Sequence, residues 1–383
     1  TATLGGQGLA LAGPGKFNIT AQNIDLGISG GISVLAPDSA LAAISPYGAS
    51  LNVNAGGNLE MTSSKITDEG LNGNIQLTVG GALDVGGQLT TLGDPNSPKG
   101  VFTTSGGGIS ITAQDDINVD SSRIAAYNGG NIDVRSATGD VNAGTGGVGY
   151  VSMQGVELDP ATGQLTSIPA TVAGSGILAT TLPDSHGVLG NITVETPDGS
   201  INASAGGIIQ ISLNGPNPPN AFIDLNAGKD INASGSGVIG GNLQITAGGA
   251  VNGILVGTGS VNVNSQSSVN VTAFGGGGVS ISAAGTVSGT VISGGNASVS
   301  GETITASLIA QSVSTSGNTA QANVGVPASN VSKSDSKVAE DAGAALAATD
   351  NQTTGDDDKK KKDRTITLAQ KASRVTVILP GKK

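Results

Sequence analysis

Residues 242–313 fall into four lines of equal length, NLQITAGGAVNGILVGTG, SVNVNSQSSVNVTAFGGG, GVSISAAGTVSGTVISGG and NASVSGETITASLIAQSV. One column reads Leu243, Val261, Val279 and Ala297, with a step of 261 − 243 = 18 each time. Two places along come Ile245, Val263, Ile281 and Val299. A third column is Val251, Val269, Val287 and Thr305, and a fourth is Val256, Phe274, Ile292 and Ala310. Glycine closes each of the first three lines. A fixed period of about 20 residues is the mark of a solenoid, whose coils bury their apolar faces only against one another. The expected inward ladder is Leu243, Ile245, Val251, Val261, Val263, Val269, Val279, Ile281 and Val287, with Asn262, Asn270 and Ser280 turned to solvent or to a corner.

The chemistry of the lines decides between helical and strand coils. Apolar and polar residues alternate (Val261-Asn262-Val263, Val279-Ser280-Ile281), which is the period of a strand. The apolar residues are mostly β-branched, and glycines recur where a helix interior would lose stability. Three short strands with tight corners fit one such turn. The expected fold is all-β, a right-handed parallel β-helix of about 18–24 residues per coil, the hand following from crossover sterics. At ~4.8 Å per coil, a dozen or more coils make a rod of about 60–75 Å.

The same alternation appears upstream with looser spacing: Phe17-Asn18-Ile19, Leu51-Asn52-Val53, Ile75-Gln76-Leu77, Ile109-Ser110-Ile111, Ile132-Asp133-Val134, Ile192-Thr193-Val194 and Ile223-Asp224-Leu225. Extra residues loop outward where proline breaks the ladder, at Ala36 to Tyr47, at 91–107 and at Asn214 to Asn220. The pairs Ile117-Asn118, Val141-Asn142, Ile201-Asn202, Ile231-Asn232, Val251-Asn252 and Val269-Asn270 recur beside one strand, where asparagine can adopt the left-handed conformation or stack its amide with the coils above and below. Residues 144–190 keep no register and read as an irregular insertion, a flap or hairpin packed on one face. Solenoids carry specific contacts on such insertions.

The stem is thus expected over 1–316, a low-complexity charged linker over 317–363, and a strand pair over 364–383. In that last piece Ile366, Leu368, Val375, Val377 and Leu379 form a docking strand, for the chain's own final coil or for a neighbour's exposed end. Through residue 330 the chain has 6 basic and 20 acidic residues, a net of 6 − 20 = −14, while the remainder carries 11 − 8 = +3.

Composition narrows the function. The net charge of −11 and the lack of a basic face argue against nucleic acid. With 0 Cys there is no disulfide or thiolate site, and no apolar run nears the ~20 residues of a membrane helix. Aromatics are 2% of the chain, too few for the ring stacking that usually holds sugars. Asp115-Asp116 and Ser185-His186-Gly187 resemble the aspartate pair and His-Gly of polygalacturonases, but they stand far more than one coil apart (186 − 116 = 70). Asp115-Asp116 is read as a corner cap and His186, the single histidine, as a solvated loop residue. Gly129-Gly130-Asn131-Ile132-Asp133 departs from the calcium β-roll repeat. No catalytic, cofactor or metal residues are assigned.

The units GGNIDVRSATGDVNAG, FIDLNAGKDINASGSG and NLQITAGGAVNG resemble the stem of filamentous-haemagglutinin-like exoproteins, the secreted partners of two-partner secretion in Gram-negative bacteria. The resemblance spans Phe17 to Ala310 in texture and period. It implies an extracellular or cell-surface, non-enzymatic stem for reach and display, delivered by an outer-membrane transporter to an unidentified receptor. The family's amino-terminal secretion domain with its Asn-Pro-Asn motifs is missing, and Asn217-Pro218-Pro219-Asn220 does not replace it. The chain then corresponds to a carboxy-terminal portion. Two alternatives stay open: a filament subunit that polymerises end to end, and a polysaccharide-degrading β-helix enzyme.

Overall fold

The computed structural model describes residues 6–87 and 98–319. It is a parallel β-helix in which each coil contributes one strand to each of three sheets. In the first sheet, eleven successive parallel pairings join twelve strands, from Gly15–Ala21 to Ser312–Thr319. At ~4.8 Å per rung the sheet rises about 53 Å.

Register explains why the alternating triplets are all in one column. Phe17, Leu51, Ile75, Ile109, Ile132, Ile192, Ile223, Leu243, Val261, Val279, Ala297 and Val313 are successive partners across that sheet. The sequence step between partners varies from 313 − 297 = 16 to 192 − 132 = 60, yet every pair stays in register. One hydrophobic core runs the length of the described stem. The nine residues of the inward ladder, from Leu243 to Val287, are all buried, while Asn270 and Ser280 are exposed and Asn262 is intermediate. Full burial of each Val, Ile or Leu contributes about 1.5–3 kcal/mol.

The second sheet holds short strands beginning at Ile24, Leu59, Leu83, Ile117, Val141, Ile201, Ile231, Val251 and Val269. Beside them the asparagine amides do stack: Asn142 Nδ2 donates to Asn118 Oδ1 at 2.8 Å, Asn202 to Asn142 at 2.7 Å, Asn232 to Asn202 at 2.8 Å and Asn252 to Asn232 at 3.4 Å. An amide carries both donor and acceptor, so one residue type satisfies itself up the column.

The third sheet differs because its outward column is also apolar. Its inward residues include Ile66, Val101, Ile124, Ile177, Ile208, Val238, Leu255, Ala273, Val291 and Leu308. The next position outward reads Phe102, Ala125, Leu178, Ile209, Ile239, Val256, Phe274, Ile292 and Ile309. The fourth column of the sequence repeat is therefore an outer one: Leu255 is buried and Val256 only half-buried. At the last coil the repeat loses a residue. Val287 pairs with Ile304 instead of Thr305, and Ile292 with Ile309 instead of Ala310. This keeps Ile304 in the core, and Thr305 is exposed.

The loops are placed unevenly. Every corner from first to second sheet is tight, such as 114–116 and 248–250. Among the described residues, extra residues enter beside the third sheet, at 36–48, 143–175, 181–191 and 212–221. The first contains a short helix, Ser39–Ala42, capped by Asp38 Oδ1 on the N–H groups of Ala40 and Leu41 at 3.0 and 2.9 Å.

Two boundaries change. The insertion assigned to 144–190 contains a stem strand, Gly176–Thr180, paired in register with Arg123–Tyr127 and Ile208–Ile211. The excursion is a hairpin, Tyr150–Leu158 against Leu165–Ala173, followed by a separate loop. The loop assigned to 91–107 likewise contains the stem strand Gly100–Thr103. Both strands escape a search for alternation because Phe102 and Leu178 face outward and are buried all the same. The last described strand, Ser312–Thr319, carries the stem past residue 316. The linker beyond it and the carboxy-terminal residues Ile366 to Leu379 lie outside the described residues.

Glycine is obligatory where coils touch through their backbones. A Cβ on Gly107 would sit 1.5 Å from the carbonyl oxygen of Gly73 one coil below. Two outcomes test the architecture. Ile281→Asp buries an unpaired charge and is expected to cost on the order of 3–5 kcal/mol in urea unfolding, with Ser280→Asp within about 0.5. Equal midpoints for the two variants would contradict the inward column. Replacing 147–174 by a Gly-Ser turn should preserve the far-ultraviolet β signal, whereas excising all of 144–190 should abolish it, because only the second removes a stem strand.

Candidate functional site

The large apolar residues most exposed to solvent gather on one side. Leu9, Leu11, Leu35, Ile44, Tyr47, Tyr150, Val188, Leu213, Phe222 and Ile254 all lie in the third sheet, in loops flanking it, or at the corner where such a loop rejoins. The other two sheets present Asn, Ser, Thr and charged residues. The third-sheet side is thus the chemically distinct face of the rod.

The hairpin is seated there by a second apolar cluster. Val151, Met153 and Val172 of the hairpin pack on Phe102, Tyr127, Leu178, Ile209 and Ile239 of the stem. Phe102 and Tyr127 meet edge-on, their rings 6.3 Å apart. Two polar side chains fasten the hairpin's end. Tyr127 Oη donates to the carbonyl of Ala173 at 3.0 Å, and Arg123 Nε to that of Gly174 at 2.7 Å. Both residues are fully buried. Burial pushes the Tyr127 hydroxyl up to about 12 and lowers the Arg123 guanidinium from its ordinary value. Neither residue stands out in the sequence, since their partners are main-chain carbonyls 46 and 51 residues away.

Beyond the hairpin lies a cavity of about 320 Å³, between coil corners and the loop after Gly176–Thr180. Glu157, from the hairpin, accepts the main-chain N–H of His186 on Oε2 at 2.9 Å, and His186 Nδ1 lies 3.2 Å from Oε1. His186 stands in the loop after Gly176–Thr180, as read from the sequence, and is in addition tied to a carboxylate. Its ring is nonetheless 69% exposed, and the partner is Glu157, not Asp115 or Asp116. Asn128 also lines the cavity, and its buried Oδ1 has no hydrogen-bond partner. One carboxylate and one imidazole engaged with each other offer no second carboxylate for glycosidic acid–base chemistry.

Asp115 and Asp116 sit at a tight corner between first and second sheets. Asp116 Oδ1 accepts the N–H of Asp140 at 2.7 Å, and the Asp115 carbonyl accepts the Ser136 hydroxyl at 2.7 Å. They cap that corner and join one coil to the next.

A second, more acidic recess of about 250 Å³ is lined by Glu60, Asp84 and Asp120. Here the asparagine column gives way to acids: Asn118 pairs with Asp84, Asp84 with Glu60, and Glu60 with Asp25. Burial, then a hydrogen bond and the charge of Asp120, push the Asp84 carboxyl up to about 6, against the N–H of Gly86 at 2.9 Å. Asp68, at the edge of the third sheet, is buried with only Oδ1 engaged, by the N–H of Gly70 at 3.0 Å. Burial pushes it up to about 7. Among the described residues no group of three or more His, Asp or Glu could hold a metal ion.

No family model matches the chain, and neither a curated protein nor a solved structure matches it.

The raised carboxyls of Asp68 and Asp84 give a pH dependence of defined sign. The folded protein holds a proton on Asp68 up to about pH 7, whereas the free carboxyl loses it near 3.8. The linked stability is full below 3.8 and lost as pH rises through about 7, with Asp84 adding the same trend through about 6. The melting temperature should therefore rise as pH is lowered from 8 to 5. Asp68→Asn should flatten the upper part of that profile and stabilise the protein at pH 8. A parent profile flat over this range would show that Asp68 titrates normally.

Proposed function

We propose that this chain is the rigid, non-enzymatic stem of a secreted adhesin-type exoprotein at a bacterial surface, making its contacts along the third-sheet side. The carrying observation is the separation of tasks between sheets. Two faces are polar and joined to each other by uniformly tight corners, while one face collects the hairpin, the long loops and the exposed apolar side chains. A continuous core through twelve rungs supports the rod, since each coil is held on both sides by backbone ladders. The units resembling filamentous-haemagglutinin-like stems support secretion through an outer-membrane transporter. Among the described residues no helix is long and apolar enough to cross a membrane.

A receptor is expected to meet the hairpin and the loop carrying Val188, where Tyr150 is 54% and Val188 75% exposed. The protein coupled to beads should adhere to host or bacterial cells, and the double variant Tyr150→Ser, Val188→Ser should lose most of that adhesion while keeping its melting temperature. Electron micrographs of the purified chain should show short single rods. Long end-to-end filaments would favour the polymerising subunit instead, and release of oligosaccharides from an acidic polysaccharide would overturn the non-enzymatic reading.

A further inference from the structure

The hairpin covers only part of the apolar stripe on the outside of the third sheet. It buries the lower positions, where Phe102 is 3%, Leu178 1%, and Ile209 and Ile239 8% exposed. The stripe then continues upward, strand paired with strand, through Val256, Phe274, Ile292 and Ile309. Val256 makes contact with the covered cluster, and all four residues are half-buried on an outward face with no element of the described structure assigned to cover the upper three. The upper stripe is a continuation of an interface that the same chain has already closed lower down.

We infer that the carboxy-terminal segment of this chain, Thr365 to Pro380, docks on the upper stripe as a second covering hairpin. The existing hairpin shows the pattern required: residues two apart, Val151 and Met153, point to the stem and Val172 joins them from the return strand. The terminal segment repeats it, with Ile366 and Leu368 in one run and Val375, Val377 and Leu379 in the other. Charge agrees. Residues 364–383 hold five basic and no acidic residues, against the net of 6 − 20 = −14 through residue 330. The tether is long enough: 45 residues, 320 to 364, separate the last described strand from Thr365, while the four stripe residues rise three rungs, or about 14 Å. Intramolecular attachment gives the chain's own segment a higher effective concentration than a neighbour's at ordinary protein concentrations. The inference does not depend on what the rod adheres to.

The chain has 0 Cys, so disulfide trapping is clean. The full-length pair Phe274→Cys, Val377→Cys is oxidised mildly and compared with Asn264→Cys, Val377→Cys, whose partner lies on the exposed face of the first sheet. The expected result is an intrachain bond in the first pair, formed at least threefold faster than in the second and seen as a joined tryptic peptide from monomeric protein. Disulfide-linked dimers would give the stripe to a second copy, and equal or absent trapping in both pairs would remove the docking altogether; either overturns the inference. A second measurement leaves the core untouched. Deleting 364–383 should raise the binding of an apolar dye severalfold, and Phe274→Thr with Ile292→Thr should cancel that rise. No dye increase on deletion would likewise overturn the assignment.

Discussion

Everything in this molecule depends on one constraint: each strand lies parallel and in register on the strand one coil below. Register makes the column, rather than the residue, the unit of structure. A position that faces inward on one rung faces inward on all, so a single polar intruder lies between two apolar neighbours. The chain meets this by varying the length of its coils instead of their register. Sequence steps as different as 16 and 60 end at the same place because the surplus leaves through corners. Corner glycines such as Gly107 permit the backbone contact that closes each turn.

Outward columns obey the same rule with different chemistry. Asparagine suits a long column because its amide gives and takes one hydrogen bond in the same direction on every rung. A carboxylate cannot, since it only accepts. Where the column passes from Asn118 to Asp84 and Glu60, amide stacking ends, and burial, followed by the hydrogen bond and charge of Asp120, holds the proton on Asp84 toward neutrality. The column is therefore self-satisfying along its amide stretch and pH-sensitive along its acidic one. The third sheet's outward column is apolar, and it needs cover instead of partners.

This difference explains what was legible in the sequence. The first sheet alternates cleanly, and from it the fold, the period and the inward ladder could be read. The amide column was legible for the same reason, through the recurrence of an apolar residue followed by Asn. The third sheet hid its strands, because Val101-Phe102 and Ile177-Leu178 are apolar on both faces and give no period of two. A one-residue loss near Gly301 then displaced the apparent column by one, so Thr305 and Ala310 stood where Ile304 and Ile309 belong. The candidate site had no local signal. Glu157 and His186 are 29 residues apart, come from a hairpin and a loop, and meet only because both leave the stem beside the same sheet.

The third sheet's double apolar face also accounts for where the insertions are. A hairpin attached at a corner of the first sheet would settle on Asn, Ser and Thr, and would lose water contacts without gaining an apolar surface. Attached beside the third sheet, the same hairpin finds Phe102, Leu178 and Ile209, and buries Val151, Met153 and Val172 against them. Two main-chain carbonyls at its end then receive Arg123 and Tyr127 from inside the stem. The stripe is therefore a docking rail laid down by register, with the hairpin fastened to its lower part. Polar columns elsewhere keep the remaining faces wetted, so that the exposed large apolar side chains of an otherwise uniform solenoid gather on one side.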